Sequence, residues 1–498
     1  MELPPSFVED MRALMPDAND FLAALQTEQP VSIRLNSLKL DTSTHPESYI
    51  FPASYPAALR GQGEVRLPQG SVRVPWCESG YYLPSRPAFT FDPLFHAGGY
   101  YVQEAASMFL EQAMRRYVGA PCRMLDLCAA PGGKSSLAST LLPKGSLLVA
   151  NEVIRQRSQI LAENLTKWGC PNTIVINSDP ADFGQLDNFF DVLLTDVPCS
   201  GEGMFRKDPV AVSEWSPQNV ELCYQRQRRI LSDVWPSLKP GGIAIYSTCT
   251  YNVHEDEENI AWICQELGAE VLEVPVSADW GITGNLLNND FPVYRFLPHK
   301  TRGEGLFMAV LRKTGTSEPN LSTASRQATS SATVRKKQKG GKQRSAVFPK
   351  DALQTMRSWV LDADSYEWTA DNELVTAFPQ AHADALSALK QAVRIVQAGI
   401  QVGTLKGKDL IPHHALAMSI ALDPDAFAGE EVDYAQAVAY LRKEAVSLRP
   451  EASRGYVLLT YRGFPLGFAK NIGNRANNLY PQEWRIRSGY LPDEIQTL

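Results

Sequence analysis

Short apolar runs and amphipathic segments alternate along the chain between residues 122 and 313. The apolar runs predict strands at RMLDLCA (123–129), SLLVANE (146–152), TIVINSD (173–179), DVLLTDV (191–197) and IAIYSTCTY (243–251). Apolar residues at helical spacing predict helices at SSLASTLL (135–142), RQRSQILAENLTKWG (155–169) and QNVELCYQRQRRILSDVWPSL (218–238), with a further helix starting near His254. Strands that alternate with helices in this way predict an α/β fold with a doubly wound, Rossmann-like parallel sheet.

The other segments of the chain differ from this pattern. YRFLPH and GLFMAVLRK, at the end of the alternating region, predict a hairpin that closes it. Residues 1–110 and residues 348–498 each mix helical and strand-like runs, so each predicts a smaller α+β unit. The tract 316–346 is rich in Ser, Thr and basic residues without periodicity, which predicts a disordered linker. The expected units are therefore 1–110, 111–314, a basic linker at 315–347, and 348–498.

Composition limits the class of protein. Of the 498 residues, 44% are hydrophobic and 21% are charged, which is typical of a globular protein with several cores. No apolar run has the length of a membrane span, and the opening MELPPSFVEDMRALMP has acids where a signal peptide needs basic residues. The eight cysteines form no CxxC pair and no zinc-type spacing with histidine. These features predict a cytoplasmic protein with free thiols, no metal site and no membrane partner.

Charge is distributed unevenly along the chain. The net charge of −7 argues against a protein that is basic overall and binds nucleic acid with its whole surface. Between Pro319 and Lys350, however, there are eight Lys or Arg residues and no acid. This tract is either a tether with affinity for a phosphate backbone or a solubilising linker, and composition does not separate the two.

A glycine-rich turn, CAAPGGKSS (128–136), joins the first central strand to its helix. Glycines here let the backbone approach a ligand and direct its amide groups at it. A phosphate-binding P-loop requires glycine in place of Cys128, and the dinucleotide fingerprint GxGxxG is absent. Acids end the next two strands, at Glu152 and Asp179, placed for ribose hydroxyls and an adenine amino group. Because acids suit a sugar and repel a triphosphate, the pattern favours S-adenosylmethionine as cofactor.

Two cysteines follow strand ends, in TDVPCSGEGMF (195–205) and in YSTCTY (246–251). We expect both strands to neighbour the first strand, so that Cys199 and Cys249 face one cleft with the cofactor. Methylation of carbon 5 of a pyrimidine needs a thiolate that adds to carbon 6 and a base that later removes the carbon-5 proton. Asp196 is placed to bind the ring, and Lys134 is placed to stabilise a thiolate. The residues alone do not rank the two cysteines, and either could be a buried apolar side chain.

These motifs carry a resemblance to a known family. MLDLCAAPGGKSS, TDVPCSGEGMF and YSTCTYNVHEDEENI resemble the cofactor loop, the Pro-Cys motif and the Thr-Cys motif of the RNA 5-methylcytosine methyltransferases of the NOL1/NOP2/Sun family. VSIRLNSLK and YYVQEAASMF are similar to upstream segments of that family. KDLIPHHALAMS and GFPLGFAKNIGNRANNLYPQEWRIR resemble a PUA-like RNA-binding extension of its bacterial members.

The resemblance implies a class I methyltransferase domain, with a specific site and substrate. It implies S-adenosylmethionine contacts from Cys128, Ala129, Ala130, Pro131, Gly132, Gly133 and Lys134, and from Glu152, Asp179 and Asp196. It implies Cys249 as the nucleophile and Cys199 as the thiol needed for product release. The implied substrate is a cytosine in 16S rRNA of the small ribosomal subunit, with no stable protein partner. An RNA-binding assembly factor without turnover is the alternative, and the intact thiol pair argues against it.

Two charged segments near the cysteine motifs also carry predictions. HEDEEN (254–259) holds one histidine and four acids, which we interpret as a solvated first helical turn and not as a metal site. Asn252 and Glu255 have the spacing of a capping box at its start. FRKDP (205–209), directly after the Pro-Cys turn, is predicted to position RNA.

Overall fold

A computed structural model describes residues 2–42, 49–50, 64–287, 289–315, 348–473, 475–489 and 497–498. The tract 316–346, predicted to be a disordered linker, lies outside the described residues together with its basic side chains. Among the helices of the described ranges, none is both long enough and apolar enough to cross a membrane.

The N-terminal unit combines helices with a small antiparallel sheet. Its helices are α1 (Pro5–Leu14), α2 (Ala18–Ala24), α3 (Pro93–His96) and α4 (Leu110–Tyr117). Its strands are β1 (Val31–Leu35), β2 (Tyr49–Ile50), β3 (Glu64–Val65), β4 (Val72–Arg73), β5 (Gly80–Leu83) and β6 (Tyr100–Val102). The sheet has the order β4-β5-β1-β6, and β2 pairs with β3. The predicted α+β character of this region is confirmed.

The central unit is the predicted doubly wound sheet. Its strands are β7 (Arg123–Asp126), β8 (Leu147–Asn151), β9 (Thr173–Ile176), β10 (Phe190–Asp196), β11 (Leu238–Thr248), β12 (Ala269–Leu272), β13 (Tyr294–Phe296) and β14 (Leu306–Lys313). Its helices are α5 (Gly133–Leu141), α6 (Arg155–Trp168), α7 (Pro180–Phe183), α8 (Pro209–Glu214), α9 (Pro217–Val234) and α10 (Glu257–Trp262). Strands β7 to β11 run parallel, and β13 and β14 form the predicted antiparallel hairpin.

The C-terminal unit contains two four-stranded sheets. Its helices are α11 (Lys350–Arg357), α12 (Ala383–Ala392), α13 (His414–Met418) and α14 (Tyr434–Leu441). Its strands are β15 (Tyr366–Asp371), β16 (Leu374–Pro379), β17 (Ile395–Ala398), β18 (Ile400–Lys406), β19 (Asp409–Pro412), β20 (Ala428–Glu431), β21 (Gly455–Tyr461), β22 (Phe464–Asn471) and β23 (Ala476–Asn478). The sheets have the orders β15-β16-β18-β19 and β20-β21-β22-β23.

Strand β17 connects the C-terminal unit to the central sheet. It pairs antiparallel with β9, so the sheet has the order β12-β14-β11-β10-β7-β8-β9-β17, with β13 paired to β14. The Gly399 amide extends this pairing by donating to the Thr173 carbonyl at 3.0 Å. An edge that would otherwise offer unpaired backbone groups is therefore covered by a segment more than two hundred residues away in the chain.

Local sequence explains the central elements. All five residues of β8 are buried, as a continuous apolar run in the middle of a parallel sheet requires. Helix α9 begins where the Ser216 side chain accepts a hydrogen bond from the Asn219 amide, with Pro217 in its first turn. Helix α6 ends at Gly169, whose positive φ of 93° suits glycine. The carboxyl ends of the parallel strands thus lie at one edge, where the cleft described below opens.

Candidate active site

A cleft of about 370 Å³ opens at the carboxyl ends of β7, β10 and β11. Most of the predicted cofactor and catalytic residues line it: Cys128, Ala129, Ala130, Pro131, Gly133, Lys134, Asp196 and Cys249. Asp126, Lys207 and three residues of the N-terminal unit, Tyr101, Gln103 and Glu104, line it as well. The expected strand neighbours need one correction. Strand β10 lies beside β7, but β11 lies beside β10 and does not contact β7 as an adjacent strand.

The glycine turn between β7 and α5 forms one wall of the cleft. Gly132 has φ +113°, a left-handed conformation that favours glycine, and a Cβ there would lie 3.2 Å from Leu161 Cδ1. The first turn of α5 is held by buried Arg34 of β1, whose Nη2 donates to Ser136 Oγ at 2.6 Å. Arg34 Nε donates to Gln103 Oε1 at 2.8 Å. The N-terminal sheet therefore supports the turn that the sequence predicts for the cofactor.

Lys134 and Asp196 form an ion pair across the cleft. Lys134 Nζ lies 2.9 Å from Asp196 Oδ2, and Ser247 Oγ donates to Asp196 Oδ1 at 2.8 Å. Burial acts to lower the pKa of Lys134, but the Asp196 carboxylate outweighs burial, and the pKa lies above its usual value. The cleft therefore holds a fixed ammonium group and a fixed carboxylate beside the nucleophile predicted from the family resemblance.

The two cysteine sulfurs are in direct contact. Cys199 Sγ lies 2.9 Å from Cys249 Sγ, and both cysteines are free thiols. The pKa of Cys199 is well above its ordinary value because of its hydrogen bond to Cys249 and because it is buried. Cys199 is thus a protonated thiol at neutral pH, in contact with the sulfur of Cys249. Of the two cysteines predicted to face the cleft, only Cys249 lines it, and Cys199 contacts Cys249 from outside the lining. Gly132 is likewise not among the residues that line the cleft.

Backbone and carboxylate hydrogen bonds join the two cysteine loops. The Gly203 amide donates to the Cys249 carbonyl at 2.7 Å, and a Cβ at Gly203 would lie 2.7 Å from that same oxygen. Glu202 accepts hydrogen bonds from the amides of Tyr251 and Asn252, at 2.6 and 3.0 Å. These contacts set the separation of the two sulfurs. The pattern in PCSGEG identified a turn but gave no sign that its glutamate binds the other loop.

Glu152 and Asp179 lie beyond the carboxyl ends of β8 and β9, outside the residues that line the cleft. Glu152 is buried, accepts from the Ile154 amide at 2.8 Å and pairs with Arg157 at 3.2 Å. Asp179 is exposed and caps α7 by accepting from the Ala181 amide at 3.1 Å. The structure therefore brings the glycine turn, Asp196 and the thiols together, with these two acids at the adjacent strand ends.

The predicted solvated turn at HEDEEN is wrong. Glu255, Asp256 and Glu257 are all fully buried, and α10 begins only at Glu257. Buried Arg295 forms ion pairs with Asp256, at 3.0 Å, and with Glu257. Arg295 lies some forty residues downstream, so the local pattern held no sign of it. Glu255 instead reaches the Pro-Cys loop, where it accepts from the Ser200 amide at 3.0 Å.

Two further residues near the cleft extend or qualify the sequence predictions. In FRKDP, Arg206 is buried against Glu304, at 3.0 Å, whereas Lys207 is exposed and lines the cleft. Glu104, which the sequence did not single out, accepts hydrogen bonds from the amides of Ala106 and Glu304, each at 2.9 Å. Burial raises the pKa of Glu104. A single glutamate in a segment of mixed apolar and polar residues gives no sequence pattern that would predict a buried carboxylate bonded to two amides.

Comparison with curated proteins identifies the family. The chain is 30% identical to ribosomal RNA small subunit methyltransferase F of Cronobacter sakazakii, over 98% of this chain and 97% of the relative. The protein of the same name from Escherichia coli K12 is also 30% identical, over 98% of this chain and 97% of that protein. The chain belongs to the RsmF family of methyltransferases. The resemblance to the wider NOL1/NOP2/Sun family is confirmed by these matches.

Family models divide the RsmF-type chain into three matched regions. The model of 16S rRNA methyltransferase RsmB/F matches residues 120–312, which contain most of the residues that line the cleft. The N-terminal domain of 16S rRNA methyltransferase RsmF matches residues 60–105, and the methyltransferase RsmF PUA domain matches residues 430–486. The PUA match falls on the second of the two C-terminal sheets, and residues 348–425, which include the first sheet and β17, lie outside all three matches.

A solved structure supports the fold of the RsmF-type core. The crystal structure of PH0851 aligns with a TM-score of 0.52 and 22% identity, over 62% of this chain and 66% of that chain. Together with the family matches, this likeness confirms the Rossmann-like methyltransferase fold with flanking N-terminal and C-terminal units.

Proposed function

We propose that this protein transfers a methyl group from S-adenosylmethionine to carbon 5 of a cytosine in 16S rRNA of the small ribosomal subunit. The observation that carries the proposal is the contact of 2.9 Å between Cys199 Sγ and Cys249 Sγ beside the Lys134–Asp196 pair. Addition of a thiolate to carbon 6 makes carbon 5 nucleophilic, and a second group must then remove a proton. Cys249 at the cleft, Cys199 in contact with it, and the fixed cation and carboxylate beside them supply groups for both requirements.

The residues of the cleft fit S-adenosylmethionine. Ala129, Ala130 and Gly133 give the wall of the glycine turn small side chains or none, and Asp126 Oδ1 is buried there without a hydrogen-bond partner among the described residues. Cys128 to Lys134 would contact the cofactor, with Glu152 and Asp179 at the ribose and adenine ends. When bound, S-adenosylmethionine supplies an electrophilic methyl group. A nucleoside triphosphate fits less well, because Lys134 is already paired with Asp196, and the carboxylates that line the cleft, including Asp126, would repel its phosphates.

The roles of the protein residues follow from their positions. Asp196 accepts hydrogen bonds from the cytosine. Lys134 offsets the negative charge of Asp196 and that of a thiolate on Cys249. Cys249 Sγ would form a bond to carbon 6 as the double bond between carbons 5 and 6 opens, and carbon 5 would take the methyl group, with S-adenosylhomocysteine as the second product. Loss of the carbon-5 proton then allows the bond between carbon 6 and sulfur to break, which returns the thiolate and releases the product.

Cys199 acts in the release step. Its hydrogen bond to Cys249 is the largest cause of its raised pKa. Once Cys249 is bonded to carbon 6, that hydrogen bond and the adjacent charge are removed. The pKa of Cys199 should then fall, although burial continues to raise it. Cys199 would release its own proton to solvent, and its thiolate would then take the carbon-5 proton. The same contact that keeps Cys199 protonated at rest thereby prepares it as a base in the adduct.

The remaining units would hold the RNA. We assign 1–110 to an RNA-binding N-terminal domain, 111–314 to catalysis, 315–347 to a basic linker and 348–498 to a PUA-containing RNA-binding region. RNA bases that are modified at the ring must leave the stack to enter a cleft of this kind. A ribosomal substrate also suits a protein that works in the cytoplasm.

Methylation assays test the cysteine roles. Wild type, Cys249→Ala and Cys199→Ala are incubated with labelled S-adenosylmethionine and under-methylated small ribosomal subunits or 16S rRNA. Wild type should form 5-methylcytosine, and Cys249→Ala should lose about a thousandfold or more of the rate, since it lacks the nucleophile. Cys199→Ala should accumulate a covalent protein–RNA adduct that survives denaturing electrophoresis.

Cys264→Ala is the matched control, since Cys264 is a free cysteine outside the cleft. It should methylate like wild type and trap no adduct. Normal methylation by Cys249→Ala would exclude it as the nucleophile. Binding of 16S rRNA by wild type without any methyl transfer would instead favour the assembly-factor alternative.

A further inference from the structure

A groove of about 670 Å³ lies beside the catalytic cleft. Its floor and sides come from Gln29 and Pro30 after α2, from Pro84 to Arg86 after β5, and from Thr301 to Gly303 before β14. Its volume is in the range, roughly 300–1,000 Å³, of sites that hold a small organic ligand. The groove is therefore large enough for a nucleotide, and no step of the proposed reaction uses it.

The groove and the cleft share a wall. Thr301, Arg302 and Gly303 line the groove, while the next two residues, Glu304 and Gly305, line the cleft together with Cys249. A chain that leaves the cleft across this segment enters the groove directly. The segment 301–305 is thus a single stretch of backbone between the groove and the cleft.

Buried hydrogen bonds hold this wall in place. Arg206 donates to the Gly303 carbonyl at 2.8 Å and pairs with Glu304 at 3.0 Å, and both side chains are only 4% exposed. Glu104 accepts from the Glu304 amide at 2.9 Å. Because the wall is fixed from both sides, the groove exists before any ligand binds. Arg206 of the FRKDP segment therefore supports the wall and has no free hydrogen-bonding edge for a phosphate.

Two exposed arginines stand at the groove, each over an aromatic ring. The Arg302 guanidinium lies 4.5 Å from the ring centre of Tyr82, and that of Arg86 lies 5.6 Å from the ring centre of Phe89. Among the residues that the structure describes, neither Arg86 nor Arg302 forms an ion pair. Glu28 is the acidic residue among those that line the groove. Guanidinium groups bind phosphates in a bidentate manner and stack on unpaired bases. Their stacking on protein rings orients them before binding.

We propose that this groove binds the single-stranded RNA nucleotides adjoining the target cytosine, through Arg86 and Arg302. The inference rests on the proposed RNA methyltransferase function, because a cytosine turned into the cleft leaves its neighbours at the shared wall. Unpaired neighbours expose both a phosphate and a base face, which are the two chemistries that a stacked arginine recognises. The groove would thus hold the substrate strand in register while Cys249 reacts.

A double substitution tests the groove without touching the cleft. In Arg86→Gln/Arg302→Gln, KM for the RNA should rise about tenfold or more, while kcat at saturating RNA and KM for S-adenosylmethionine stay within about twofold. The slope of log affinity against log salt concentration should decrease by about 1.4, since each single-strand phosphate contact contributes about 0.7. Arg86→Lys/Arg302→Lys keeps the charges and should restore most of the salt dependence but not the full affinity.

Arg116→Gln is the matched control, because Arg116 is an exposed arginine over the ring of Tyr117 on α4, outside the groove. It should leave KM for RNA unchanged. Unchanged KM and salt slope in the double variant, with an active wild type, would overturn the groove proposal alone. A fall in kcat without a rise in KM would overturn it too, since it indicates a structural role. An inactive wild type is a separate result that rejects the proposed function.

Discussion

Glu202 shows how a single side chain can join the two cysteine loops. Its Oε2 accepts from the amides of Tyr251 and Asn252, and its Oε1 accepts from Trp215 Nε1 and Asn252 Nδ2, each at 3.0 Å. An acceptor-only carboxylate suits a site where four donors converge. Because Gly203, the next residue, binds the Cys249 carbonyl, movement of Glu202 would move one sulfur relative to the other.

Glu202→Gln should reduce both stability and methyl transfer. The amide nitrogen of glutamine would face N–H donors, which leaves about two buried hydrogen bonds unmade and lowers the free energy of unfolding by about 1–3 kcal/mol. Methyl transfer at saturating substrates should fall about tenfold, since small displacements of reacting groups are costly. Denaturant unfolding and single-turnover methylation measure the two effects.

Exposed Glu214 on α8 gives the control Glu214→Gln, for which both quantities should match wild type. If Glu202→Gln loses stability but forms the covalent adduct at the wild-type rate, the glutamate has no influence on the position of the thiols.

At the scale of elements, strand β1 supports the glycine turn of the central unit from the N-terminal unit. VSIRLNSL predicted an N-terminal segment of the family but no contact with CAAPGGKSS. Arg34 of β1 is fully buried, stacks over Trp168 at 4.3 Å and binds Ser136 and Gln103. Helices α1 and α2 act similarly on the cysteine loops, with Phe21 packed against Tyr251 at 4.8 Å and Phe7 against Phe205 at 5.1 Å.

Arg34→Met should weaken cofactor binding. Methionine fills part of the buried volume but loses the hydrogen bonds that hold the start of α5, so the affinity for S-adenosylhomocysteine should fall about tenfold, as one to two hydrogen bonds predict. Titration calorimetry measures the affinity, and thermal unfolding reports any loss of folded protein.

Ser136→Ala removes the acceptor of the hydrogen bond from Arg34. It should lower the affinity for S-adenosylhomocysteine, but by less than Arg34→Met does. The double variant should be less than additive, because the two changes break one shared interaction. If the two losses of affinity add fully, Arg34 acts through contacts other than the one with Ser136.

At the scale of the whole molecule, the units share their hydrophobic cores. Leu386 and Leu389 of α12 pack in the same core as Ile174 and Ile176 of β9. In the N-terminal unit, Leu35 and Tyr81 share a core with residues of β21 and β22, including Leu459 and Phe464. When two units share a hydrophobic core, unfolding of one exposes the apolar surface of the other, so we expect the units to unfold together.

Leu389→Ala should test this coupling. Leu389 is fully buried, so its truncation should lower the free energy of unfolding by about 2–5 kcal/mol. Calorimetry should show one unfolding transition, at a lower temperature than in wild type. Cofactor binding should be lost in the same transition, which would show that the methyltransferase unit unfolds with the rest.

Leu222→Ala is the control, because Leu222 on α9 is 58% exposed, and its transition should match that of wild type. A separate low-temperature transition in Leu389→Ala, with cofactor binding intact, would contradict cooperative unfolding.

The sequence by itself determined the central sheet, the glycine turn and the two cysteine motifs, because strand patterning and turn residues act over a few positions. The family resemblance, and not spacing, ranked Cys249 above Cys199. Tertiary structure alone decided the 2.9 Å contact between their sulfurs, the burial of Asp256 and Glu257 against Arg295, and the pairing of β17 with β9. Each of these joins segments far apart in the chain, where local periodicity carries no information about which partner a side chain or strand edge will meet.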